Sequence, residues 1–127
     1  MRLVDTSAWI EWIADGPLEA RIGSLLPKQS DWLVPTIVQY ELSKWLLRNV
    51  VASERRQEVI AFSTRCLIVP LTTEIAISAS QLGRTHELAA ADAIIYASAQ
   101  AHGADILTCD AHFEALPGVN YLAKKPN

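Results

Sequence analysis

Short runs of aliphatic and β-branched residues alternate along this chain with longer stretches of helical periodicity, and that alternation narrows the folds open to it. Parallel strands need a crossover of a dozen or so residues, usually a helix, so the pattern is that of βαβ units. The spacing predicts strands at 2–4, 32–34, 67–69, 106–108 and 119–121. Between them it predicts helices near 7–14, 18–26, 36–49, 53–65, 73–88 and 90–102, with a short one at 111–115. Thr6 or Ser7 suits the N-cap of the first helix, Thr36 that of the third, and Thr72 or Thr73 that of the fifth. Asp15-Gly16-Pro17 breaks the first helix, Pro35 and Pro70 close strands, and Gly103 suits the residue after a helix end. The expected architecture is an α/β three-layer sandwich, with a mostly parallel central sheet and helices on both faces. A length of 127 residues suits a single domain over 1–127, and an apolar content of 50% is ample for its core.

No apolar run approaches the roughly 20 residues of a membrane span, and Asp5 interrupts any secretory signal at the start. Cys66 and Cys109 match no CxxC or zinc spacing, so they read as reduced thiols of a cytoplasmic protein. The net charge of −3, from 14 acids and 11 bases, argues against a broad non-specific nucleic-acid binder. It leaves room for an enzyme whose acids are gathered at one site.

Four acids stand where such a site would form. Asp5 and Asp110 follow predicted strands, at the carboxyl ends where open α/β sheets bind ligands. Glu41 lies early in the helix after the second strand, beside the apolar stripe of Val38, Leu42 and Trp45. Asp92 is the only charge between Glu87 and His102, on a helix apolar nearly all round. Such a helix is normally buried, and a lone carboxylate there costs several kcal/mol, on the order of known buried-ion penalties. A divalent cation shared by the four resolves the conflict. Carboxylate donors select hard Mg²⁺ or Mn²⁺ over zinc, and those ions suit phosphodiester hydrolysis by activated water.

The segments bearing these acids resemble the PIN domain, in particular VapC-type toxins of bacterial toxin–antitoxin pairs. Leu3-Val4-Asp5-Thr6-Ser7 is similar to the family's first acidic motif, and the segment from Val34 to Leu42 to its second, with Glu41 as the acid. Ala91-Asp92-Ala93-Ile94-Ile95-Tyr96-Ala97 is similar to its Asp-Ala-Ile-Ile-Ala pattern. The segment Thr108-Cys109-Asp110-Ala111-His112-Phe113 is similar to its Thr-x-Asp-x-x-Phe motif. Each motif alone is weak, whereas four in order over nearly the whole chain are specific. The resemblance implies a Mg²⁺- or Mn²⁺-dependent endoribonuclease, a homodimer, and an antitoxin that covers the active-site groove. It implies Asp5, Glu41, Asp92 and Asp110 as the acidic quartet, with Ser7 and Thr108 as hydroxyl positions near the metal.

Blander readings stand beside these. Asp5 and Asp110 each suit a helix cap, Glu41 a surface position, Ser7 a cap and Thr108 an ordinary strand residue. His112, two residues past Asp110, reads as a polar residue on a short exposed helix ahead of a ligand or general base. Asp15, Asp31 and Asp105, which flank turns or strand starts, read as solvated turn formers. Trp9 and Trp45 read as core, and Trp12 as surface or dimer interface. Lys44, Arg48, Arg55 and Arg56 read as a solvated face or as a basic rim for phosphates. A receiver domain is disfavoured, because the third strand ends in Pro70-Leu71 rather than a phospho-accepting aspartate. A stand-alone PIN nuclease acting on other nucleic acid and a catalytically silent metal- or RNA-binding module remain open.

Overall fold

The computed structural model describes residues 1–124. Five strands, β1 (Arg2–Val4), β2 (Trp32–Pro35), β3 (Leu67–Val69), β4 (Asp105–Thr108) and β5 (Val119–Tyr121), form one sheet. Their order is β3-β2-β1-β4-β5 and every pairing is parallel. Six helices cover it: α1 (Thr6–Ile13), α2 (Glu19–Leu25), α3 (Thr36–Arg48), α4 (Ser53–Thr64), α5 (Thr73–His86) and α6 (Ala90–Ala101). From β1 the chain builds outward through β2 and β3, then returns to place β4 and β5 on the other side. Strand order therefore reverses between β1 and β4, where a crevice opens at the carboxyl edge.

The three inner strands carry consecutive buried residues, Leu3-Val4, Leu33-Val34 and Ile106-Leu107, all at 0–1% exposure. Neighbouring side chains on a strand point to opposite faces, so burial of both requires a helical layer on each face. The outer strand β3 differs, with Leu67 and Ile68 exposed. Helix ends follow local chemistry. The Thr72 hydroxyl accepts the Ile75 N–H at 3.2 Å at the start of α5, and Gly103 takes φ +60° just beyond α6.

Several sequence expectations change in three dimensions. Thr6 and Ser7 lie inside α1, whose N-cap is Asp5, and Thr36 is the first residue of α3 after Pro35. Position alone suggests caps for their hydroxyls, whereas Thr6 gives its own to Glu41 of α3, and Ser7 donates to Asp5 and accepts the Cys109 N–H. The short helix expected at 111–115 is a single 3₁₀ turn, Ala111–Phe113. Asp105 stands at the start of β4, but it is not simply solvated: the Arg2 guanidinium grips both its oxygens at 2.9 and 3.0 Å. Trp12 joins an aromatic cluster with Trp9, Trp32 and Phe62, its ring 5.7–6.1 Å from theirs. Trp9 is core, whereas Trp45 is only half buried.

Glu11 is a buried acid on α1, and its Oε1 accepts the Leu18 N–H at 3.0 Å. That bond folds the α1–α2 turn over the carboxylate, and a Cβ at Gly16 would fall on the carboxylate itself. Gly16→Ala is therefore expected to lower stability by about 1–3 kcal/mol, as overpacking does. Urea unfolding checks this: an unchanged midpoint would show that Glu11 can swing clear without loss.

Candidate active site at the carboxyl edge of the sheet

Asp5 leaves β1 where strand order reverses. Its backbone starts α1 and its N–H donates to the Leu107 carbonyl of β4 at 2.9 Å, so the ends of β1 and β4 fix it. Its side chain is not used as a helix cap. One oxygen, Oδ2, accepts the Thr108 hydroxyl at 2.7 Å and the Ser7 hydroxyl at 2.9 Å. Those hydroxyls in turn accept the Asp110 and Cys109 N–H groups, each at 2.9 Å. Each hydroxyl has one proton, and both go to Asp5. Ser7 and Thr108 thus lock the ends of β1 and β4 together and aim the carboxylate.

Asp5 is 3% exposed, and no Lys, Arg or His lies within ion-pair distance of it among the described residues. Burial pushes its carboxyl above the ordinary range; the hydroxyl bonds pull it down, and the Asp110 charge pushes it up again. Asp92 sits in the first turn of α6, and burial followed by the Asp110 charge raises its carboxyl too. Asp110 stands just past β4, and its Oδ1 accepts the His112 N–H at 2.9 Å. The His112 ring reaches back, its Nδ1 3.2 Å from Asp92 Oδ2 and 3.3 Å from Asp110 Oδ1. One donor atom each from Asp92, Asp110 and His112 lies within 4.8 Å of the others.

The fold therefore places Asp92 and Asp110 together and brings Asp5 within their electrostatic influence. Glu41 stands apart from the Asp92–Asp110–His112 group, on α3. Its Oε1 accepts the Thr6 hydroxyl at 2.7 Å, which ties it beside the residue that follows Asp5. His112 is exposed on a short helical turn, as the sequence suggested, but it also belongs to the acid cluster. Its position two residues past Asp110 was the available signal. Thr6 offered none, because its partner lies 35 residues away.

A doubly wound parallel sheet with acids gathered over its switch point defines a class of α/β proteins that bind their ligands at that edge. The chain belongs to the PIN domain family, whose model matches residues 2–119. Its fold is similar to a chain of a toxin–antitoxin complex from Klebsiella pneumoniae, at 21% identity and a TM-score of 0.81 over 98% of each chain. It is also similar to a sarcin–ricin loop cleaving VapC toxin from Mycobacterium tuberculosis, at 20% identity and a TM-score of 0.76, covering 94% of this chain and 97% of the other. A third likeness is to a chain of DNA-bound VapBC from Salmonella typhimurium, at 19% identity and a TM-score of 0.75 over 98% of each. No curated protein sequence matches the chain.

Proposed function

We propose that this PIN domain is a metal-dependent endoribonuclease, the toxin of a toxin–antitoxin pair. The observation that carries the reading is Asp5, a buried acid with no cationic side chain within ion-pair distance among the described residues, facing two further acids across the switch point of the sheet. An apoprotein gains nothing from that repulsion, whereas a site for Mg²⁺ or Mn²⁺ requires it. Asp5, Asp92 and Asp110 would hold the ion, and Glu41 would stand at the rim. Oxygen donors fit these hard ions, and the single His112 nitrogen is compatible with Mn²⁺. When bound, the ion supplies a water of lowered pKa and a positive charge for the phosphoryl oxygens.

The chain's own residues do the positioning. Ser7 and Thr108 hold Asp5 in one orientation, and Thr6 does the same for Glu41. Hydrolysis by water leaves a 5′-phosphate and a 3′-hydroxyl and needs no 2′-hydroxyl. RNA as substrate is supported by family membership and by the likeness to a sarcin–ricin loop cleaving toxin. An antitoxin partner is supported by the complexes in which similar folds occur. A homodimer and a cytoplasmic location complete the reading. No helix among the described residues is long and apolar enough to cross a membrane.

The test is incubation of antitoxin-free protein with pooled tRNA and rRNA in Mg²⁺, in Mn²⁺ and in EDTA. Cuts bearing 5′-phosphates are expected with metal and none in EDTA. Metal should also raise the unfolding temperature, by the equivalent of about 2.7 kcal/mol at a hundredfold excess over Kd. Folded protein that cuts no RNA with either ion would overturn the reading.

A further inference from the structure

Four cations of α3 and α4 looked equivalent in the sequence, and the fold separates them. Arg55 pairs with Glu58 at 3.5 Å, and Arg56 donates to the Val51 carbonyl at 2.7 Å. Lys44 and Arg48 have no carboxylate within ion-pair distance among the described residues, and both are exposed. Like charges four residues apart on a helix repel, so the pair brings α3 no stability of its own. Both line one cavity of about 250 Å³. Thr6 of α1 contributes to one wall, and Tyr40, Glu41, Lys44, Trp45 and Arg48 of α3 to the other.

Two features connect this cavity to the acid cluster. Glu41 forms part of its wall, and Thr6, which grips Glu41, is the residue next to Asp5. Tyr40 is 60% exposed, an unusual setting for a large aromatic ring beside two unpaired cations. Aromatic rings with flanking cations are what a single-stranded nucleic acid needs: the rings stack bases and the cations take phosphates. The chain as a whole is acidic, so this local positive charge is set against the general field.

We propose that the α1–α3 cavity receives the nucleotides flanking the scissile phosphate of a single-stranded RNA. Tyr40 and Trp45 stack a base, and Lys44 and Arg48 hold the adjoining phosphates. The inference rests on the nuclease reading and deepens it. It names the side of the acid cluster along which the strand runs, and it makes Tyr40 and Trp45 the residues that rank bases by stacking. Arg55 and Arg56 lie outside the track.

The experiment measures equilibrium binding of a fluorescent single-stranded RNA by anisotropy. It uses full-length Asp110→Asn protein in EDTA, so that no cleavage intervenes, over a series of salt concentrations. The Lys44→Ala/Arg48→Ala double variant should bind about tenfold or more weakly at moderate salt. Its slope of log affinity against log salt should shrink by about 1.4, two phosphates at about 0.7 each. Tyr40→Ala should lose about tenfold, with Tyr40→Phe retaining affinity because the ring face is kept. Arg55→Ala/Arg56→Ala removes the same charge and should stay within about twofold. Circular dichroism confirms folding for each variant; the Tyr40, Lys44, Arg48 and Arg55 side chains are exposed, and that of Arg56 is half-buried.

Equal losses in the two double variants would reduce the effect to net charge and overturn the subsite. So would a change in sedimentation mass of the Lys44→Ala/Arg48→Ala protein, which would make this face a contact between copies of the chain. Cleavage of RNA by the unsubstituted protein with metal, while none of these variants changes binding, would sink the subsite alone. Asp110→Asn protein that does not bind RNA, together with unsubstituted protein that does not cleave it with metal, would sink the nuclease reading as well.

Discussion

Asp5→Asn protein is expected to cut RNA at least about a thousandfold more slowly, and in EDTA to unfold at a higher temperature than its parent. The loss follows from the several kcal/mol of charge stabilisation a catalytic ion supplies, at about 1.36 kcal/mol per tenfold in rate. The gain follows from burial. Asp5 in the folded chain holds its proton more tightly than a solvated aspartate, because burial disfavours its charge and Asp110 adds repulsion. Folded protein therefore binds more protons than unfolded protein over that range, and stability falls as pH rises through it. The penalty is absent below about pH 3.9, the unfolded value, and complete once pH exceeds the raised folded value. Asparagine carries no such charge, and its amide oxygen can still accept from Ser7 or Thr108. The difference in stability between variant and parent should therefore grow from acid towards neutral pH in EDTA. Asp92 contributes a penalty of the same sign in both proteins, and Asp105, held below the ordinary range by Arg2, one of opposite sign. The Asp105 contribution cancels in the difference. The Asp92 penalty shrinks in the variant, because the Asp5 charge is one of its causes, and so adds to the expected gap in the same direction. Saturating Mg²⁺ or Mn²⁺ should reverse the order, stabilising the parent more than the variant. An active Asp5→Asn protein, or one less stable than its parent in EDTA, would remove Asp5 from the proposed metal site.

The same buried-charge logic marks how much the sequence could say. The strands were legible because the inner ones are buried on both faces and so are written as unbroken aliphatic runs such as Leu3-Val4 and Ile106-Leu107. Pro70, Thr72 and Gly103 punctuate the chain through local chemistry, and local chemistry can be read without a fold. Asp92 stood out because its helix is otherwise apolar. Glu11, among Trp9, Ile10, Trp12 and Ile13, gave the same signal, and the structure assigns it to the α1–α2 turn. Hydroxyl roles were the least legible. Ser7 meets Thr108 across 101 residues and Thr6 meets Glu41 across 35, while a threonine or serine after a strand looks like a cap in any sequence. His112 was legible through its place two residues past Asp110, which raised a ligand or general-base role, while its exposed position on a short turn argued for the blander one.

Thr108→Val separates positioning from packing at the centre of the site. Thr108 is fully buried, gives its proton to Asp5 and accepts the Asp110 N–H. Valine keeps the volume, removes the hydroxyl, and leaves the Asp110 N–H without its acceptor, at a cost of about 1–3 kcal/mol. Residues that orient a metal's ligands are commonly worth about 10–100-fold in metal affinity or activity. The expected result is a fall in kcat within that range and a weaker Mn²⁺ affinity by calorimetry, with KM for RNA changed little. Thr108→Ser makes the opposite trade. It keeps the hydroxyl and deletes a buried methyl, so it should unfold more easily while retaining most of its cleavage and metal binding. A merely structural Thr108 would order the variants the other way, with valine active and serine impaired. Activity that follows the hydroxyl rather than the unfolding temperature would show that Thr108 acts on the reaction by aiming Asp5.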